Sequence, residues 1–180
     1  MKKVIKWCAI AFCCVIALVC CEAFLEGVAE SDTNGSSTLS EGKMWEIKTE
    51  KDEMTDKENV WATLTSSNYI KQDFPYQGET YARICVRYMS KYGNDVIISI
   101  DKGQIYGGNK VVARFDDGQP IDYTFSEPSD GSSEDIFINN KSSFIAKCKT
   151  AKEIKIEIPI YEEGMNVFTF NVDSVLVWEH

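Results

Sequence analysis

The chain has 180 residues, 19 Lys and Arg against 28 Asp and Glu, a formal net charge of −9, and an apolar share of 44%. That length suits one domain, and the apolar share can fill a core, which excludes wholesale disorder. Residues 1–21 hold three lysines and no acid, so the rest sets 16 basic against 28 acidic side chains, a net of −12; a body so acidic repels a phosphate backbone and anionic lipid, which argues against general nucleic-acid binding.

Lys2, Lys3 and Lys6 precede Trp7 to Cys21, an apolar run of 15 residues closed by Glu22. A charged start before a short apolar stretch is the pattern of a secretory signal, whereas a membrane span takes about 20 apolar residues, so residues 1–21 read as a signal and a permanent anchor is the competing reading. Leu18-Val19-Cys20-Cys21 resembles a lipobox, which makes Cys20 and Cys21 the lipidation candidates; cleavage after Ala23 or Ala29 is the alternative. Residues 22–43 read as a flexible tether, because Glu30 to Lys43 is rich in Ser, Gly, Thr and Asn. The body is then 44–180. Of seven cysteines only Cys85 and Cys148 fall in that body, where they either close one bridge in an oxidising compartment or stay as two thiols. His180 is the single histidine and no Cys-x-x-Cys is present, which leaves little material for histidine-centred zinc or triad chemistry. No cofactor and no metal are expected.

From Met44 onward apolar side chains recur at a period of two, the mark of half-buried strands. Trp45 to Lys48 opens the series; Val60, Ala62 and Leu64 form a second face, and Ala82, Ile84, Val86 and Tyr88 a third. Val96, Ile98 and Ile100 follow, then Val111, Ala113 and Phe115, then Ile121, Tyr123 and Phe125. Ser142 or Ser143 reads as the cap of one helix reaching Ala151, with Phe144, Ile145 and Cys148 at helical spacing. Ile154, Ile156, Ile158 and Ile160 alternate with Lys155, Glu157 and Pro159, and the proline suggests a strand edge or end; as an exposed edge the strand would be guarded against pairing with a second copy, so the protein is expected to be a monomer. Phe168, Phe170 and Val172 come next, and Val175 to Trp178 ends the series. Short strands separated by Gly and Asx turns predict a mostly β, antiparallel β-sandwich, immunoglobulin-like or jelly-roll-like, with one short helix; a partly open β-barrel is the alternative.

Trp45-Glu46-Ile47, Asp52-Glu53-Met54-Thr55-Asp56 leading into Asn59-Val60, Arg114-Phe115-Asp116-Asp117-Gly118 and the closing Phe168-Thr169-Phe170-Asn171-Val172 occur in this order between Met44 and Trp178. In them the chain resembles the small exported bacterial proteins grouped around the type VI secretion-associated VasI/TagO family. The resemblance implies an envelope accessory of this fold and carries over no active site.

Asp52, Glu53 and Asp56 could ligate a cation, yet the EF-hand spacing is absent and a turn is the simpler role. Arg114 beside Asp116 and Asp117 could recognise a carboxylate or phosphate, but a strand arginine more often pairs with an acid on the next strand. The loop from Glu127 through Asp130 to Asp135 has the look of a phosphate or cation loop without the lysine and helix that a phosphate needs, and Ser132 and Ser133 have no base to activate them. Trp61, Tyr69, Phe74 and Tyr76 cluster near the loop from Asp73 to Gly78, where aromatic rings either dock sugar or peptide or pack beneath it. The partner-binding candidates are therefore Phe74, Tyr76, Glu127, Asp130, Asp135 and Arg114, with no catalytic residue. The expected function is that of a non-enzymatic, exported protein, periplasmic or lipid-anchored, that binds an envelope protein or cell-wall component. The alternatives are a small glycan hydrolase using paired carboxylates and an acidic immunity or inhibitor protein.

Overall fold

The computed structural model describes residues 43–180. The expected signal, nearly all of the expected tether and the lipidation candidates Cys20 and Cys21 lie outside the described residues. Among the described residues eleven strands and one helix follow in chain order: β1 (Glu46–Lys51), β2 (Glu58–Thr65), β3 (Ile70–Gln72), β4 (Gly78–Thr80), β5 (Ala82–Met89), β6 (Gly93–Ile100), β7 (Lys110–Phe115), β8 (Ile121–Ser126), β9 (Asp135–Ile138), α1 (Lys141–Cys148), β10 (Glu153–Ile160) and β11 (Gly164–Asn171). Nine strands run antiparallel in the order β1-β2-β5-β6-β9-β8-β7-β10-β11, and β3 with β4 forms a separate hairpin.

The order doubles back on itself as a β-sandwich. β9 and β8 are joined by only two register pairs, Phe125 with Ile138 and Ser126 with Phe137, so the strands on either side can face each other as two layers. The alternation read from the sequence supplies the filling: Ala62, Leu64, Ile84, Val86 and Ile98 from one layer and Ala113, Tyr123, Ile156, Phe168 and Phe170 from the other are buried in one shared core. Burying a large apolar side chain contributes about 1.5–3 kcal/mol, so this alternation fixes which face of each strand turns inward. The sheet does not close into a barrel, since β1 and β11 are not neighbours; an isolated bridge between Lys43 and Val172 links the flanking chain.

Several expectations are corrected. The strand Ile154–Ile160 is not an edge: β10 lies between β7 and β11. Its isoleucines are buried as expected, but Pro159 is buried too, and Lys155 and Glu157 are half-buried beneath their neighbours. The proline is tolerated because its nitrogen turns to the side away from β11, where its carbonyl accepts from the Tyr106 amide at 3.0 Å and where β7 pairs only with Ile154 to Glu157, so no ladder bond is lost. The first strand starts at Glu46, after the buried Trp45. The helix cap is Asn140, without a side-chain bond, instead of Ser142 or Ser143, and the helix ends at Cys148; the Asn140 carbonyl already accepts from the Phe144 amide at 3.2 Å. The β3–β4 hairpin and β9 were hidden, being three or four residues long, and Val175 to Trp178 forms no strand. Cys85 and Cys148 are free thiols: Cys85 shares the outer layer face with its register partner Thr63, while Cys148 is buried under the helix. Burial raises both thiols above their ordinary range.

Candidate functional site

The Phe74 loop is the turn of the β3–β4 hairpin, closed by the Tyr76 amide donating to the Asp73 carbonyl at 3.0 Å. A buried polar residue anchors that hairpin. Gln72 Nε2 donates to Thr80 Oγ1 at 2.7 Å and to the Lys102 carbonyl at 2.9 Å, which satisfies an amide that would otherwise be costly to bury. Gly103 is required opposite it: its φ is +97°, and a Cβ there would lie 2.7 Å from the Gln72 amide atoms. Lys102 Nζ adds a bond to the Gln77 carbonyl at 3.0 Å.

Two further loops meet the hairpin. The Asp73 amide donates to Glu163 Oε1 in the β10–β11 turn at 3.2 Å. The segment after β6 bridges the end of β10 through Ile105 and Ile160, with the Tyr161 amide donating to the Gln104 carbonyl at 2.9 Å. Because Ile105 and Ile160 both turn into the core, their neighbours Tyr106 and Tyr161 point out, and the two rings meet edge to face at 5.6 Å between centroids. Phe74 is 80% exposed and Tyr106 67% exposed, while Tyr76 and Tyr161 are partly covered. A hydrogen bond to the Glu162 carboxylate, and then its charge, raise the Tyr161 phenol above its ordinary range, with smaller contributions from burial and from Tyr106 and Tyr76. Four aromatic side chains and the acids Asp73, Glu162 and Glu163 thus come from three adjoining loops.

The other predicted residues fall elsewhere. The Glu127–Glu134 loop approaches the same segment at one point, where the Ile105 amide donates to the Ser133 carbonyl at 2.7 Å. Within it Glu127 and Asp130 are exposed, and Asp130 Oδ1 accepts from the Ser132 amide at 3.0 Å, a local turn bond. Asp135 is not in that loop: it begins β9, half-buried, and takes a short hydrogen bond from the Ser99 hydroxyl. Arg114 lies on β7 opposite Lys155, with its guanidinium 3.9 Å from Glu153 instead of beside Asp116 or Asp117. Such an exposed pair is worth about 0–1 kcal/mol. Asp52 is a turn residue, its Oδ1 accepting from the Thr55 hydroxyl at 2.9 Å and the Thr55 and Met54 amides at 2.8 and 3.0 Å; the Thr55 bonds foremost hold its carboxyl below the ordinary carboxylate range. Asp56 pairs with Lys51 at 2.6 Å. Among the described residues no three His, Cys, Asp or Glu side chains gather as metal ligands. The ring of His180 stacks on Tyr88 at 4.8 Å and meets Trp178 edge to face.

Sequence reasoning found Phe74 and Tyr76 but missed Tyr106 and Tyr161. Their signal was present, since each is an aromatic at the brink of a Gly turn, Gly107-Gly108 and Glu162-Glu163-Gly164. What the sequence lacked was the pairing of Ile105 with Ile160 that aligns them. Compared with known proteins, the chain matches no family model, no curated protein and no solved structure. Among the described residues no helix is long and apolar enough to cross a membrane.

Proposed function

We propose that this chain is an exported, non-enzymatic envelope protein whose sandwich binds another envelope protein through the loop surface of Phe74, Tyr76, Tyr106 and Tyr161. The exposure of Phe74 and Tyr106, with Tyr76 and Tyr161 partly covered beside them, carries the reading: aromatics drawn from three loops into one neighbourhood are the raw material of binding hot spots. Asp73, Glu162 and Glu163 beside them suit a partner segment bearing Lys or Arg, which acids attract and aromatic faces hold. The order of motifs resembling the VasI/TagO proteins supports a role as an accessory to a secretion assembly. Lipid on Cys20 or Cys21 would tether the body to a membrane, and the acidic composition of that body also suits an inhibitor of a basic protein.

Export is checked by fusing residues 1–43 to a reporter: the fusion leaves the cytoplasm, and its retention there would remove the envelope assignment. Binding is checked by capture from solubilised envelope. The full chain retains a component that the Phe74→Ala/Tyr76→Ala variant loses by roughly tenfold or more, as loss of two hot-spot rings implies, with the thermal transition within about 3 °C because neither ring is in the buried core. Equal capture by the two proteins overturns the loop surface.

A further inference from the structure

We infer that the edge strand β1 is a self-pairing edge, on which a second copy of this chain adds its own β1 antiparallel to continue the sheet across a two-fold axis. The two ends of the nine-stranded order are treated differently by the fold. At β11 the outer edge is covered by the chain itself: the Ser67 amide donates to the Thr169 carbonyl at 2.7 Å, and the Asn171 amide donates to Ser67 Oγ at 3.1 Å. The Asn68 side chain acts as a short piece of strand there, accepting from the Thr169 amide at 2.7 Å and donating to the Val167 carbonyl at 3.0 Å. Lys43 completes the cover, bonded through its own backbone to Asn171 and Asp173. Among the described residues nothing comparable stands at β1. Among the described residues, Glu46 to Lys51 pair through the backbone with β2 alone, and all six are exposed.

Side-chain placement on β1 selects the occupant. Glu46, Lys48 and Glu50 lie on one face, opposite Thr63, Trp61 and Asn59; Ile47, Thr49 and Lys51 lie on the other, opposite Ala62, Val60 and Glu58. Ile47 is 55% exposed although its partner Ala62 is fully buried, so β1 overhangs the core and leaves apolar surface uncovered on its inner side. Charges on an edge ordinarily repel a copy, but here they alternate in sign. In a two-fold antiparallel pair, opposed residues share a face, so the axis must pass through a residue position. Centring on Lys48 would set lysine against lysine and Glu46 against Glu50, which is repulsive. Centring on Ile47 would require residues 43–45 to pair, and the backbone of Lys43 is already engaged with Asn171 and Asp173. Centring on Thr49 sets Lys48 against Glu50 twice on one face and lays Ile47 along the stem of Lys51 twice on the other. Glu46 then meets Asp52, whose carboxylate is turned into its own loop by Met54 and Thr55. The Lys48–Glu50 pair that now forms within one strand at 2.5 Å is exchanged for two between strands. The expectation of a monomer rested on β10 as the guarded edge, and β10 is interior.

The test uses the full chain, purified in mild detergent, with mass measured by sedimentation across a concentration series. The wild type is a dimer at high concentration. Lys48→Glu weakens dimerisation by roughly tenfold or more, because each of two opposed pairs becomes repulsive, and Lys48→Glu/Glu50→Lys restores it. At concentrations low enough to leave every protein monomeric, all variants keep the wild-type thermal transition, their side chains being exposed. A wild type that is monomeric throughout, or a dimer that Lys48→Glu leaves intact, overturns the inference. The Phe74 and Tyr76 surface is on separate loops, so failure here leaves the capture experiment to stand or fall alone.

Discussion

Replacing Phe144 by alanine lowers the free energy of unfolding by about 3–5 kcal/mol, the cost of emptying a fully packed aromatic site. Phe144 has no exposed surface and is the pin of α1. Its ring meets Phe115 of β7 at 5.3 Å and Tyr123 of β8 at 5.1 Å between centroids, both near perpendicular, the edge-to-face arrangement that aromatic rings favour. The helix has eight residues and its cap makes no side-chain bond. A helix that short does not persist in water without tertiary contacts. Deleting the ring therefore leaves a cavity between helix and sheet and loosens the helix. Urea unfolding followed by far-UV circular dichroism measures the effect, with Phe144→Leu as the milder comparison. A loss under about 1 kcal/mol would show that the helix is held by something other than this cluster.

The second large effect is expected at Asp116, which bends the chain between β7 and β8. Its Oδ1 accepts from the Lys152 amide at 2.7 Å and the Glu153 amide at 2.9 Å, and its own amide donates to the Glu153 carbonyl at 2.8 Å. One side chain thus fastens the β7–β8 turn to the start of β10. Its φ is +49°, a left-handed conformation that Asp and Asn tolerate better than other residues with a Cβ. Asp116→Ala should cost about 2 kcal/mol, roughly half from the lost acceptor and half from the left-handed alanine. Water can reach this exposed turn, which keeps the hydrogen-bond share small. Asp116→Asn retains both an acceptor oxygen and the tolerance for positive φ, so its unfolding midpoint should stay near the wild type. If Asn is as damaging as Ala, charge and not geometry is what the turn requires.

Asp116 belongs to the Arg114-Phe115-Asp116-Asp117-Gly118 motif on which the VasI/TagO resemblance rests in part. In the fold four of its five members have a structural part. Arg114 stands near Glu153, Phe115 is buried against Tyr123 and Phe144, and the Gly118 amide closes the turn on the Phe115 carbonyl at 3.0 Å. Asp52 in the earlier motif is likewise a turn residue. Both motifs can therefore recur wherever this architecture recurs, because they shape corners between strands.

Local pattern was enough to place most strands, because the core demands an apolar side chain at every second position and the sequence supplies it from Val60 to Val172. It was enough to find α1, where Phe144, Ile145 and Cys148 return at helical spacing. It failed where an element is too short for a period to show, as at Ile70–Gln72 and Asp135–Ile138. At Pro159 it offered a strand edge or a strand end, and only the fold chose the end: Pro159 is the penultimate residue of β10, and on the side to which its nitrogen turns β7 stops short of it. The loop residues Phe74 and Tyr76 could be chosen by composition alone, but not the company they keep.

The sequence by itself determined the alternation of buried and exposed side chains, the turn positions and the acidic balance of the body, because each depends on residues close together in the chain or on a simple sum. The tertiary structure alone decided the strand order, and with it which strands are edges. Strand order is a choice among pairings between residues far apart, and the same alternating face can be buried in many of them. It was long-range contact, Ile105 with Ile160 and Asp73 with Glu163, that drew four aromatic rings into one neighbourhood. The same kind of contact, Ser67 and Asn68 against β11, covered one edge of the sandwich and left β1 as the other.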